Sequence, residues 1–199
     1  MPRPTRRAAP ALLSFAVLAL ALLAMPAPAT AEDAKLSRFF GAFVGSGTAT
    51  RMDDKSTEKR DLDVTIKPFK KDGFTIAWIT VMRGADGERG GDDVRRRAVE
   101  EDFLPYEDGR PGVYVLAPRG GLFQKSELPN PMKGEPMRWA AISGDTLTVS
   151  SMALTPEGDA ELQIYHRTLT AKGMTVQFLR LENETVMLRL AGELTRTQP

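Results

Sequence analysis

The chain has 199 residues, with 27 basic and 26 acidic side chains, one histidine and no cysteine. This near-balance of charge provides no electrostatic footprint for nucleic acid or for an anionic membrane surface. The absence of cysteine excludes disulfides, thiol catalysis and thiolate metal sites. Packing and strand pairing alone must therefore stabilise the fold.

The first 31 residues have the three parts of a secretory signal peptide. Three arginines within the first seven residues form a basic start, an apolar run follows at 11–24, and Ala29-Thr30-Ala31 is a small-residue cleavage site. A membrane anchor is the alternative, but it needs roughly 20 apolar residues, more than this run has. We expect removal of residues 1–31, which leaves one periplasmic or secreted domain at 32–199 with no membrane span. That domain keeps 24 of the 27 basic residues against 26 acidic ones.

Residues 32–42 are predicted to form one short amphipathic helix. Leu36, Phe39, Phe40 and Phe43 recur at the spacing of a single helical stripe. Gly41 is expected to end the helix. A strand at 43–50 follows, and its glycines indicate a bend or a close backbone approach.

The remaining chain has the pattern of strands separated by turns. Leu62, Val64 and Ile66 alternate with polar residues, which indicates a half-buried strand. Segment 74–82 is apolar on both faces, which predicts a strand that is covered on both sides or that faces an apolar cavity. An irregular connection at 118–136 is a candidate mouth loop. Residues 138–196 then read as five extended segments separated by Gly-, Pro-, Asn- and Asp-containing turns.

These elements predict an all-β fold. About ten sequential strands with short turns and no parallel crossover are typical of an antiparallel up-and-down barrel of about 8 to 10 strands, here with one short N-terminal helix. Closure of the barrel removes the edge strands that would otherwise promote aggregation.

The start of the domain resembles the calycin group of small barrels, which includes the lipocalins and the fatty-acid-binding proteins. Gly41-Ala42-Phe43 is similar to the group's opening glycine-x-tryptophan, and the strand meander after it is similar too. In lipocalins an arginine packs over that aromatic residue, so the resemblance implies such a partner here. Arg189 and Arg196 on the last strand are the candidates.

Segment 160–169 has two faces, and either of them could point into the barrel. Leu162, Ile164 and His166 share one face, and Tyr165 and Arg167 share the other. If the apolar residues face inward, His166 does too. The resemblance to fatty-acid-binding proteins implies the opposite arrangement, in which an arginine and a tyrosine hold a carboxylate inside the barrel. A solvated outer face is the role expected of Tyr165 and Arg167, and the carboxylate-binding role is the alternative.

His166 is the only histidine of the chain, so metal sites built from several histidines are excluded. On an apolar face it is expected to be a hydrogen-bonded core residue. The functional alternatives are an axial haem ligand or a proton-transfer group in the cavity.

No catalytic residue, metal or cofactor is predicted. The chain has no Gly-x-Ser-x-Gly elbow, and its glycine-rich segment at 84–91 matches no phosphate-binding loop. We expect a barrel that binds a small apolar or amphipathic molecule without chemistry, with a structural or protein-interaction module of the cell envelope as the alternative. The predicted ligand-binding residues are Phe74, Ile76, Trp78, Trp139, Ile164 and His166, within an interior that also contains Val113, Val115, Leu147 and Val149.

Overall fold

Over the residues described, the computed structural model is a closed barrel of ten antiparallel strands. The structure describes residues 36–83, 95–107, 110–118 and 129–198. A short 3-10 helix, Pro131–Lys133, precedes the sixth strand. The strands are β1 (Gly41–Arg51), β2 (Thr57–Phe69), β3 (Gly73–Met82), β4 (Arg95–Pro105), β5 (Val113–Leu116), β6 (Met137–Ser143), β7 (Thr146–Leu154), β8 (Ala160–Leu169), β9 (Gly173–Glu182) and β10 (Thr185–Gln198).

Each strand pairs with its neighbours in the chain, and β1 pairs with β10 to close the barrel. This confirms the predicted up-and-down architecture. Hairpin turns use residues that tolerate positive φ, such as Asn183 and Glu184, with φ of 44° and 66°, between β9 and β10. At the closing seam, a Cβ on Gly45 would overlap the carbonyl oxygen of Glu193. The glycines of β1 therefore permit the close backbone approach that their pattern indicated.

One half of the barrel is filled with side chains. The Phe74 ring stacks on Phe103 with centroids 5.0 Å apart and meets Tyr114 edge-on at 5.2 Å. These rings belong to a buried cluster with Ile66, Ile76, Leu147, Val149, Met174 and Leu194. Its residues lie near the end of the barrel that carries the β2–β3, β6–β7 and β8–β9 turns. That end is therefore a conventional hydrophobic core.

The chain enters this filled end through a single helical turn. Phe39 N–H donates to Leu36 O at 3.0 Å, and Phe40 N–H donates to Ser37 O at 3.2 Å. Leu36 and Phe39 are buried in the core. The predicted helix ends earlier than expected, because β1 already begins at Gly41, where φ is 140°. Its first four residues lie outside the described residues, as do the predicted signal segment 1–31 and positions 119–128 of the connection.

An arginine from the last strand holds the helical turn against the barrel. Arg196 Nη1 donates to Phe40 O at 2.5 Å, and Nη2 donates to Arg38 O at 2.9 Å. The guanidinium lies over the Phe43 ring, 4.5 Å from its centroid. Of the two candidates, Arg196 is thus the residue that packs over the aromatic of Gly41-Ala42-Phe43. Arg189 is exposed.

Replacing Arg196 with methionine is expected to destabilise the barrel by about 2 kcal/mol. The variant loses two charge-assisted hydrogen bonds to the carbonyl groups that end the helical turn, together with the contact to Phe43. Urea unfolding at neutral pH measures the change. Arg189→Met removes the same charge from the exposed surface of the same strand and should stay within about 0.5 kcal/mol of wild type. Equal losses for the two variants would contradict this role of Arg196.

Within the described residues, no helix is both long and apolar enough to cross a membrane.

Candidate functional site: a half-filled barrel

The other half of the barrel contains a cavity of about 460 Å³. Its volume lies within the roughly 300–1,000 Å³ typical of small-molecule sites. The wall comes from β2, β3, β4, β8, β9 and β10, toward the ends of these strands that lead into the β1–β2, β3–β4 and β9–β10 connections. The apolar part of the wall consists of Leu62, Val64, Trp78, Met82, Val176, Phe178, Leu188 and Leu190.

Aromatic rings that meet across the interior form the floor of the cavity. Trp78 of β3 contacts Tyr165 of β8, with ring centroids 5.5 Å apart, and Tyr165 contacts Phe178 of β9 at 4.4 Å. Strands β3 and β8 lie on opposite sides of the barrel. Their contact therefore divides the open half from the filled half. We call Trp78, Tyr165, Phe178 and Arg167 the cavity floor.

Arg167 places a cation in this floor. Its side chain is 1% exposed, and its guanidinium carbon lies 5.3 Å from the Trp78 ring and 5.1 Å from the Tyr165 ring. Within the described part of the chain, neither Nε nor Nη1 has a hydrogen-bond partner. Burial lowers the pKa of Arg167 to about 10, because the charged form has lost its hydration. The two rings compensate only part of that loss.

Burial also raises the pKa of the Tyr165 hydroxyl, against the opposing influence of nearby arginines. At neutral pH this hydroxyl is therefore protonated and can donate a hydrogen bond. A donor hydroxyl beside an arginine cation is an arrangement that favours an anionic group.

Polar side chains of β8 line the cavity from its floor to its mouth. Glu161, Gln163, Tyr165 and Arg167 all line the cavity, and Glu161 and Arg167 are separated by about 20 Å of extended strand. Near the mouth, Glu161 accepts from Arg180 Nε at 2.9 Å and from Gln163 Nε2 at 2.5 Å. The inward carboxylate of this strand is thus already paired, and it does not neutralise Arg167.

A buried ion pair links two further strands. Glu101 of β4 accepts from Arg138 Nη1 of β6, and Arg138 Nε contacts Ser151 Oγ at 3.4 Å. The Glu101 side chain is fully buried, whereas 21% of the Arg138 side chain is exposed. Both groups influence the pKa of Tyr165, so they lie close enough to act on the cavity floor.

The structure places half of the predicted ligand-binding residues inside the barrel. Trp78 lines the cavity. Phe74 and Ile76 are fully buried in the filled half, and Leu147 and Val149 join them there. Phe74 and Ile76 therefore support the core below the floor and do not border the cavity.

The other three predicted ligand-binding residues face outward, so their predicted orientation was wrong. Trp139 alternates with Ala140, which is fully buried, and Ile164 and His166 alternate with the cavity-lining Tyr165 and Arg167. Val113 and Val115 lie outside for the same reason, since Tyr114 between them is buried. Large apolar side chains lie on the outer face of β5, β6 and β8, while the inner face of β8 is polar. Assigning the apolar residues to the interior therefore reversed the faces.

His166 is hydrogen-bonded on the outer surface. Its Nδ1 lies 2.9 Å from Thr148 Oγ1 on the neighbouring strand. It does not border the cavity, so the haem-ligand and proton-transfer alternatives have no geometric basis there. Among the described residues, no three His, Asp or Glu side chains cluster as a metal site would require.

Arg167 and Tyr165 are the functional residues that hydrophobicity alone passes over. The signal that identifies them is the resemblance to fatty-acid-binding proteins, which placed an arginine and a nearby tyrosine inside the barrel. The structure places both side chains inward, so the solvated outer face expected of them was wrong. It also adds Arg60, Arg97 and Arg180 to the cavity wall.

A barrel of this kind occurs among solved structures. The chain is similar to the crystal structure of Rv2717c from M. tuberculosis, with a TM-score of 0.51, 16% identity, and coverage of 84% of this chain and 98% of that one. It has a weaker similarity to an S-type phycobiliprotein lyase, CPES, from Guillardia theta, with a TM-score of 0.38, 8% identity, and coverage of 82% and 91%. No protein-family model matches the chain. No curated protein matches it either. At these identities the likeness concerns the fold alone.

Proposed function

We propose that this protein binds a small amphipathic anion in the half-filled barrel and carries it without chemical change. The observation on which this rests is a cavity of about 460 Å³ whose floor contains Arg167, a buried cation whose Nε and Nη1 have no hydrogen-bond partner among the described residues. A barrel with a solid interior, as expected of a purely structural module, would have no such space.

The apolar wall suits the tail of the ligand. Leu62, Val64, Leu188 and Leu190 provide aliphatic surface on β2 and β10, and Trp78 and Phe178 provide aromatic surface at the floor. Burying a hydrocarbon chain against such surface yields about 0.8 kcal/mol for each CH₂ group. A tail of eight to ten carbons would contribute about 6 to 8 kcal/mol before the cost of immobilising the ligand is subtracted.

The floor suits the head of the ligand. A carboxylate beside Arg167 would compensate the guanidinium for the hydration that it loses on burial. The same carboxylate would accept a hydrogen bond from the Tyr165 hydroxyl. Charge-assisted hydrogen bonds contribute about 1.5 to 3 kcal/mol each. The ligand would thus enter head first, with its charge deepest.

Export to the periplasm or the cell exterior is part of the same proposal, since residues 1–31 have the pattern of a signal peptide.

The two tryptophans permit a direct test with decanoate as the probe. Trp78 lies in the cavity floor, whereas Trp139 lies on the outer face. In the Trp139→Phe variant, Trp78 is the sole tryptophan, and we expect decanoate to change its fluorescence in a saturable manner. In the Trp78→Phe variant, the signal from Trp139 should not respond.

Native mass spectrometry of the purified protein complements this titration. A mass above that of the denatured chain would show a retained ligand. If the apo mass alone is observed and decanoate leaves Trp78 fluorescence unchanged, the binding function is refuted.

A further inference from the structure

Positively charged side chains outnumber negatively charged ones around the cavity floor. Arg167 of β8, Arg97 of β4 and Arg138 of β6 all act on the Tyr165 hydroxyl, and Glu101 is the carboxylate that acts with them. Glu101 forms an ion pair with Arg138. Glu101 also acts on Arg167, so one carboxylate faces three guanidinium groups, and an excess of two positive charges remains near one phenol.

Arg167 and Arg97 approach the cavity from different sides. Both line it, but β4 and β8 are separated by three strands around the barrel. Arg167 is buried in the floor, whereas Arg97 is exposed toward the mouth. A head group on the floor would therefore have one guanidinium beneath it and a second one above it. The neighbouring Arg180 is occupied by Glu161, so it adds little further charge.

We infer that the preferred head group is a compact dianion, the phosphate monoester of an apolar alcohol; this inference rests on the proposed function. A carboxylate neutralises one of the two positive charges, whereas a phosphate monoester carries about −1.5 to −2 at pH 7. It also presents three acceptor oxygens, enough to pair with both guanidinium groups and with the Tyr165 hydroxyl.

The decisive experiment compares decyl phosphate with decyl sulfate by calorimetry, from pH 5 to pH 8. The two heads have similar shape, but only the phosphate loses a second proton in this range, with a pKa of about 6. We expect similar affinities at pH 5 and an advantage of about tenfold for decyl phosphate at pH 8. The sulfate titration also controls for any effect of pH on the protein itself, whose charged groups at the floor and wall include Arg60, Asp63, Glu101, Glu161 and Arg180.

A matched pair of variants tests the role of Arg97. Arg97 lines the cavity, and Arg96, its neighbour on β4, lies on the opposite face of the strand and is exposed. Arg97→Gln and Arg96→Gln change the net charge equally. We expect Arg97→Gln to abolish most of the advantage of decyl phosphate at pH 8, and Arg96→Gln to leave at least half of it on a logarithmic scale.

The outcomes distinguish a failure of the dianionic head group from a failure of the proposed binding function. Equal affinity for the two amphiphiles at every pH, or equal effects of the two variants, would overturn the dianion while leaving the binding function intact. If neither amphiphile nor decanoate binds, the proposed function itself fails. Inorganic phosphate distinguishes a lipid-like ligand from the free ion: it should compete at least a hundredfold more weakly than decyl phosphate, and comparable competition would overturn the requirement for an apolar tail.

Discussion

Arg167→Met should make the empty protein more stable than wild type. Burial lowers the pKa of Arg167 from its ordinary value to about 10, which corresponds to about 3 kcal/mol of destabilisation, at 1.36 kcal/mol for each pH unit. Loss of the contacts between the guanidinium and the Trp78 and Tyr165 rings offsets about 1 to 2 kcal/mol of the gain. We expect a net gain of about 1 to 2 kcal/mol, seen by calorimetry as a rise in melting temperature of about 2 to 6 °C.

The pH dependence of this gain follows from the sign of the change in pKa. The folded protein holds the Arg167 proton less firmly than the unfolded chain does, so the penalty is fully present below pH 10 and decreases only as the pH rises above that value. The difference in stability between wild type and Arg167→Met should therefore be constant between pH 6 and pH 9.

The same substitution should weaken the binding of decanoate by ten- to a hundredfold, because one charge-assisted interaction contributes about 1.5 to 3 kcal/mol. If Arg167→Met is more stable than wild type and binds decanoate more weakly, Arg167 contributes to ligand binding at the expense of stability. Arg189→Met, on the exposed outer surface, is the control for the change in net charge and should alter neither property. A marked loss of stability in Arg167→Met would instead assign the guanidinium a structural role.

Arg138→Met should destabilise the barrel by about 3 to 5 kcal/mol, because it leaves the fully buried Glu101 carboxylate without its cationic partner. Glu101→Gln should cost less, about 1 to 2 kcal/mol, since Arg138 is partly exposed and can turn toward water. Urea unfolding of both single variants and of the double variant measures these terms as a double-mutant cycle.

The double variant is the informative member of that cycle. A neutral amide beside a methionine contains no unpaired buried charge, so it should be more stable than Arg138→Met alone. If the two losses simply add, the carboxylate and the guanidinium are not energetically coupled, and the contact between them is not a stabilising ion pair.

The architecture of this protein follows from local information that a single chain contains. Alternation at Leu62, Val64 and Ile66 and turn residues such as Gly144 and Asn183 mark the hairpins. When every strand follows its neighbour through a short turn, an antiparallel meander with few alternative topologies results. The resemblance to calycins predicts that Arg189 or Arg196 packs over Phe43. Arg196 makes this contact, because the first and last strands pair with each other.

The location of the binding site depends on which face of each strand points into the barrel. Strand β8 has apolar residues on one face and Glu161, Gln163, Tyr165 and Arg167 on the other, and the polar face is the inner one. A hydrophobic pattern predicts the reverse, because it assumes that the interior of a barrel is a core.

The sequence by itself determined the strands, their order and their closure, because periodicity and turn chemistry act between residues close together in the chain. Only the tertiary structure decided which face of each strand points inward, where the core ends and where the cavity begins. Those properties arise from contacts such as that of Trp78 with Tyr165, between strands 87 positions apart and on opposite sides of the barrel. Whether a buried charge has a partner of opposite sign depends on side chains from all the strands around it. No local sequence pattern can therefore predict it.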